Sequence, residues 1–212
     1  MKPLIIVLLL ALALSPASAD RWSGPQTKEV FSASRDYFVR VIPGNSIGDT
    51  QGFAGTAKGD YATAEFYRRN KDRSYELRTQ ITLANPVAPV DFFVANDGQL
   101  ITLDNWHNLG YGKVVVVYAP DGTQTKSYAL NELFLDTEVD AFPHSISSIH
   151  WREGPIFFQQ NQRTLLITTK TGASLEIDAR NGAFQYCETI AKSFRCRDTN
   201  QNRKWHPYEQ PS

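Results

Sequence analysis

The sequence predicts an all-β protein made of about three propeller-like antiparallel meanders of four strands each, with a β-sandwich as the alternative. Three observations predict it. Short apolar or β-branched runs recur along the chain, Val114–Tyr118 being the clearest, and such runs fit a pleated surface. Asp97-Gly98, Asp121-Gly122 and Asn181-Gly182 fall between runs, where Asp-Gly and Asn-Gly supply the positive-φ residue of a tight hairpin. The runs also gather in three clusters whose first strands begin near Tyr37, Asp91 and Ile156, and four-stranded units at long, degenerate spacing are the signature of propeller blades.

The elements follow in order. Lys2, the apolar run Leu4–Leu14 and the small-residue end Ser15-Pro16-Ala17-Ser18-Ala19 read as a secretory signal cleaved after Ala19. The run is shorter than the roughly 20 residues a spanning helix needs, so no membrane span is expected once the signal is removed. Residues 20–28 read as an exposed polar leader. Tyr37–Ile42 is the first strand, and Gly44, Gly48, Gly52, Gly55 and Gly59 then oppose regular structure. Tyr61–Arg68 and Ser74–Leu83 form a hairpin, which Pro86 and Pro89 close because proline cannot donate to a central ladder.

The second cluster is the meander Phe92–Ala95, Leu100–Asp104, Val114–Tyr118 and Thr125–Leu130. A single helical turn is expected over residues 131–140, capped by Asn131 with Glu132 in its first turn. Ser145–Trp151 reads as a strand or bridging segment. The third cluster holds Ile156–Gln160, Thr164–Thr169, Ala173–Asp178 and Ala183–Tyr186, followed by a polar tail over about residues 197–212. Three units are fewer than the four to eight of a closed propeller, so the expectation divides among an incomplete propeller, a sandwich and closure by a homodimer.

The chain has 22 basic and 22 acidic residues; losing the signal with Lys2 leaves 21 against 22, a net charge of −1. Such a balance argues against a nucleic-acid partner, which needs a basic face. A chain of this length buries roughly 70% of its unfolded surface, so residues 20–212 are read as one domain. Cys187 and Cys196 are the two cysteines, and an even number in an exported chain favours a disulfide between them. Localisation to the periplasm or beyond follows from the signal.

The stretch Phe93-Val-Ala-Asn-Asp-Gly-Gln-Leu-Ile-Thr-Leu-Asp-Asn-Trp-His-Asn-Leu-Gly-Tyr-Gly112, followed by Val114-Val-Val-Val-Tyr-Ala-Pro-Asp-Gly122, resembles segments of uncharacterised secreted bacterial proteins with β-propeller-like repeats. The resemblance covers Asp91–Leu133 well and the remainder only by pattern. It implies the fold and no activity.

Candidate sites are few. Asp104, Asn105, Trp106, His107 and Tyr111 place a carboxylate, an amide, an imidazole and two aromatics in one inter-strand loop, a set that can bind a polar ligand; the competing reading is that Trp106 packs between units while Asp104 and His107 bond loop backbone. Asp198, Asn200, Asn202 and Glu209 stand at positions 1, 3, 5 and 12 of an EF-hand-like Ca²⁺ loop, with Arg203 where glycine is needed. Gly44-Asn45-Ser46-Ile47-Gly48 matches the Gly-x-Ser-x-Gly elbow of hydrolases without the strand-to-helix setting that motif requires. The four histidines are scattered, and the 25 Phe, Trp and Tyr residues are expected in the core rather than in a sugar-binding row. The functional expectation is an exported non-enzymatic binding module for an unknown protein or small polar ligand, with no cofactor unless Ca²⁺. The alternatives are a small secreted hydrolase and a calcium-stabilised structural protein.

Overall fold

The computed structural model describes residues 23–190, 193–198 and 206–207. The signal segment, Asn200, Asn202 and Glu209 lie outside them. Strands β1 (Lys28–Phe31), β2 (Tyr37–Ile42), β3 (Thr63–Arg69) and β4 (Tyr75–Thr82) form one antiparallel meander. A second follows in β5 (Pro89–Val94), β6 (Leu100–Asn105), β7 (Val115–Tyr118) and β8 (Gln124–Tyr128). The third sheet continues through β9 (Arg152–Phe158), β10 (Thr164–Thr169), β11 (Ser174–Asp178), β12 (Phe184–Ile190), β13 (Ser193–Asp198) and the short β14 (His206–Pro207). The protein is thus all-β, with three antiparallel sheets each built in sequence order.

The sheets stack with the second in the middle, which explains its composition. Side chains alternate across a strand, and here both faces meet protein. Phe92, Val94, Leu100, Val116 and Tyr118 pack on Val39, Val41, Ala64 and Phe66 of the first sheet. Ile101, Leu103, Val115 and Val117 pack on Leu165, Ile167, Leu175 and Ile177 of the third. Every residue of β6 and β7 is buried, so the unbroken apolar run Val114–Tyr118 reflects two-sided burial rather than half-buried alternation. Each such valine contributes about 1.5–3 kcal/mol relative to an exposed one. The turn glycines serve the same stacking: Gly98 and Gly122 have φ of +90° and +87°, and a Cβ there would lie 2.7 Å from the Tyr37 ring and 2.4 Å from Ile81.

Several expectations change. Residues 23–27 have no regular structure and are mostly exposed, and an unexpected strand follows them, because β1 pairs with β2 from Lys28 to Phe31; its inner face carries Val30 onto the core and the Lys28 ammonium over the Phe92 ring. The single helical turn is two short helices, α1 (Leu130–Leu133) and α2 (Asp136–Ala141). Ala129, not Asn131, is the first cap position: the Ala129 N–H donates to Glu132 Oε2 at 2.6 Å, and the Leu135 N–H donates to Glu138 Oε2 at 2.7 Å. The third sheet exceeds four strands. Cys187 and Cys196 sit directly opposite on β12 and β13 and are disulfide-bonded, and the expected tail begins inside β13, where Arg197 is buried against the Tyr186 ring and ion-paired with Glu138. Residues 143–151 are a bridging segment with one isolated bridge, His144 to Ile149. No helix among the described residues is long and apolar enough to cross a membrane.

Candidate functional site

In a meander, alternate connections fall at opposite ends. The β2–β3, β4–β5, β6–β7 and β8–β9 connections therefore meet at one end, where the sequence-derived site lies. Asp104 ends β6 in a left-handed conformation, φ +57°, which aspartate tolerates better than most residues. That conformation turns its carboxylate inward, and it is fully buried. Oδ1 accepts from Trp151 Nε1 at 2.8 Å and the Gly110 N–H at 2.9 Å; Oδ2 accepts from Arg152 Nε at 2.6 Å. Arg152 also pairs with Asp91 at 2.9 Å. The cluster is a clasp between the second and third sheets, and its partners lie 47 and 48 residues from Asp104. No local motif could have found them.

Asn105 is likewise internal. Its Nδ2 donates to the Tyr111 and Lys113 carbonyls at 2.8 and 3.3 Å, and its Oδ1 accepts from Asn85 Nδ2 at 2.9 Å. Trp106, His107 and Tyr111 remain part-exposed. Trp106 Nε1 donates to the Ser23 carbonyl at 3.1 Å, and the His107 ring lies 5.7 Å from that of Phe53. Burial holds the His107 pKa below its usual value, so the imidazole is neutral at neutral pH. Asn108 joins three connections: its Nδ2 donates to the Gln51 carbonyl at 2.8 Å and to that of Ser147 at 3.3 Å. Beside it Thr50, Pro86, Asn105 and Tyr111 line a half-open cleft of about 80 Å³, large enough for water and too small for an organic ligand. These loops build a junction more than a pocket.

The other sequence-derived sites are dispersed. Ser46 is buried before a 3₁₀ turn, Ile47–Asp49; its Oγ donates to Asp49 Oδ2 at 2.7 Å and accepts the Gly59 N–H at 3.0 Å. Asp198 closes β13 and is the one member of the calcium set among the described residues. Among those residues no three His, Cys, Asp or Glu side chains converge as a metal site.

The outer face of the first sheet holds what the sequence did not indicate. A cross-strand row runs through all four strands, Phe31 to Phe38 to Tyr67 to Leu77, with Arg69 opposite Tyr75 further along. Phe31 is 42% exposed and Leu77 46%. Parallel to it runs a polar row, Glu29 to Arg40 to Glu65 to Gln80, in which Arg40 pairs with Glu29 at 2.7 Å and Glu65 at 3.1 Å. The expectation that aromatics fill the core thus fails for Phe31, Tyr67 and Tyr75, while Phe38, on the same outer face, is buried among them at 6% exposure. The Tyr-Phe-Val-Arg-Val-Ile strand is apolar on both faces, and its alternation could not say which face meets the second sheet.

The chain matches no protein-family model and no curated protein. What the outer face can hold follows from its ring geometry. Phe38 and Tyr67 stack face to face, with centroids 4.3 Å apart and planes within 5°. Tyr75 meets Phe38 edge-on at 4.9 Å, and the Arg40 guanidinium lies 5.3 Å from the Tyr67 ring. One face each of Phe38 and Tyr67 is taken by the other, and the Tyr75 ring and the Arg40 guanidinium pack against the pair. A sugar needs an open ring face to stack on; this surface offers rings packed on one another beside a charge row in which one arginine serves two glutamates.

Proposed function

We propose that the protein is an exported, non-enzymatic interaction module that docks another protein on the outer face of its first sheet. The observation that carries this reading is the Phe31–Phe38–Tyr67–Leu77 row: two large apolar side chains stand near half exposure at its ends, with buried Phe38 and part-buried Tyr67 between them and polar groups at its rim, the form of a protein-binding patch. The contacts the rings already make with one another and with Arg40 favour an apolar protein surface over a carbohydrate. The groups that sequence motifs offered for chemistry support a binding role as well, since Asp104 and Ser46 are committed to internal hydrogen bonds. Export is supported by the apolar N-terminal segment and by the Cys187–Cys196 disulfide, which persists in oxidising compartments.

A photo-crosslinking residue at Leu77, introduced in cells that express the full chain, tests the docking face. The expected result is one discrete adduct of defined mass, lost when Phe31→Ser is added while the melting temperature is retained. A second copy of the chain would appear as an adduct of twice the mass. No discrete adduct, or one indifferent to Phe31→Ser, would remove the first sheet's outer face as the binding surface.

A further inference from the structure

The outer face of the third sheet carries a different row. Leu175 and Ile177 of β11 face the core, so Glu176 faces away from it, and the register aligns Phe157, Leu166, Glu176, Gln185 and Asp198 across five strands. The row begins apolar and ends acidic. Toward the β9–β10 turn, Glu176, Asp178, Gln185 and Asp198 border a cavity of about 210 Å³. That volume exceeds several waters yet is below the 300–1,000 Å³ of a typical organic ligand site. It suits one functional group on a stem.

The lining atoms decide which group. Glu176 is only 5% exposed, and Gln159 hydrogen-bonds its carboxylate. Its Oε2 is nevertheless buried with no hydrogen-bond partner, as is Oε1 of Gln185 beside it. Leaving a charged oxygen in that state costs more than a neutral acceptor would. Asp178 differs: Arg180 holds it at 2.7 and 3.2 Å. Among the described residues no cation pairs with Glu176 or Asp198. Two acids bordering one cavity repel anions. A compact metal ion needs converging oxygens, and adjacent strands are about 4.8 Å apart, which spreads the Glu176–Gln185–Asp198 row over about 10 Å. A planar guanidinium presents five N–H donors in a fixed fork and pairs with carboxylates through two parallel bonds.

We propose that this cavity binds a guanidinium group, with Glu176 and Asp198 as its carboxylate partners. The group belongs to a small guanidine compound or to an arginine side chain of a partner protein; both present the same fork. The site lies on a different sheet from the docking face above and stands independently of it.

Calorimetric titration of the full chain with N-acetyl-arginine methylamide tests this, with the citrulline analogue as a neutral control of nearly the same shape. Saturation in or below the millimolar range is expected, with at least tenfold weaker binding to Glu176→Gln and Asp198→Asn and no saturation by citrulline. Either variant suffices if the other fails to fold. Stronger binding of a peptide with one arginine would identify the side-chain source, and equal binding the small molecule. Equal affinity for citrulline, affinity unchanged in both variants, saturation by Ca²⁺ in place of capped arginine, or no saturation by roughly 10 mM, weaker than the −4.1 kcal/mol of a millimolar complex, would overturn the proposal.

Discussion

Replacing Asp104 by Asn separates a clasp from a ligand-binding carboxylate. Asparagine tolerates the left-handed conformation, and its Oδ1 can still accept from Trp151 Nε1 and the Gly110 N–H. What is lost is the pair with Arg152: the new amide sets N–H donors against Nε at a position that held them 2.6 Å from an anion. Breaking a buried pair costs about 3–5 kcal/mol, and Arg152 keeps Asp91, so the low end, about 3 kcal/mol, is expected. For a chain of this size that corresponds to a fall in melting temperature of about 6–12 °C. Thermal unfolding followed by circular dichroism measures it, and a double-mutant cycle with Arg152→Met should return a coupling of about 2 kcal/mol. A loss below about 1 kcal/mol, or additive single effects, would refute the clasp.

The remaining predictions concern the third sheet. Reducing the Cys187–Cys196 bond, or replacing both residues by Ala, should cost about 2–3 kcal/mol for so short a loop; unfolding with and without reductant reads the difference, and an unchanged midpoint would show that β12 and β13 hold without it. Burial raises the Glu176 pKa while Gln159 partly offsets it. The raised value means that the folded state resists ionisation, so this residue costs nothing below the ordinary carboxylate range and destabilises progressively as pH rises through its folded value. Asp178, lowered overall by Arg180 against its own burial, works in the opposite sense, and Asp198 faces the same cavity. Glu176→Gln should therefore melt at a higher temperature than the native chain at neutral pH and at the same temperature near pH 3. A gap of equal size at both pH values would mean that its carboxylate is not strained by burial.

Much of the architecture was legible locally. Val114–Tyr118, the Asp-Gly and Asn-Gly turns and the break at Pro86 mark strands and reversals through effects confined to a few neighbouring residues; the strands stand where expected, with ends displaced by up to four residues, and Pro89 opens β5 rather than breaking the chain. The Cys187–Cys196 bond was legible for the same reason, since the partners are nine residues apart. The first strand was not: Lys28–Phe31 is short and polar at its start, and it is a strand because β2 offers an edge and Phe92 offers a ring to Lys28.

Sequence by itself determined the class, the order of the strands and the covalent staple, because propensity, turn chemistry and spacing act along the chain. Tertiary structure decided which face of each strand meets protein. It buried both faces of β6 and β7, turned Phe31, Phe38 and Tyr67 outward, and brought Trp151 and Arg152 to Asp104. Those outcomes depend on which surfaces remain once three sheets have stacked, a competition between long-range contacts that no short window of residues contains. They also decided the sites: the loop richest in chemical groups became a junction, while the exposed ridge and the acceptor-lined cavity arose on faces whose residues lie tens of positions apart.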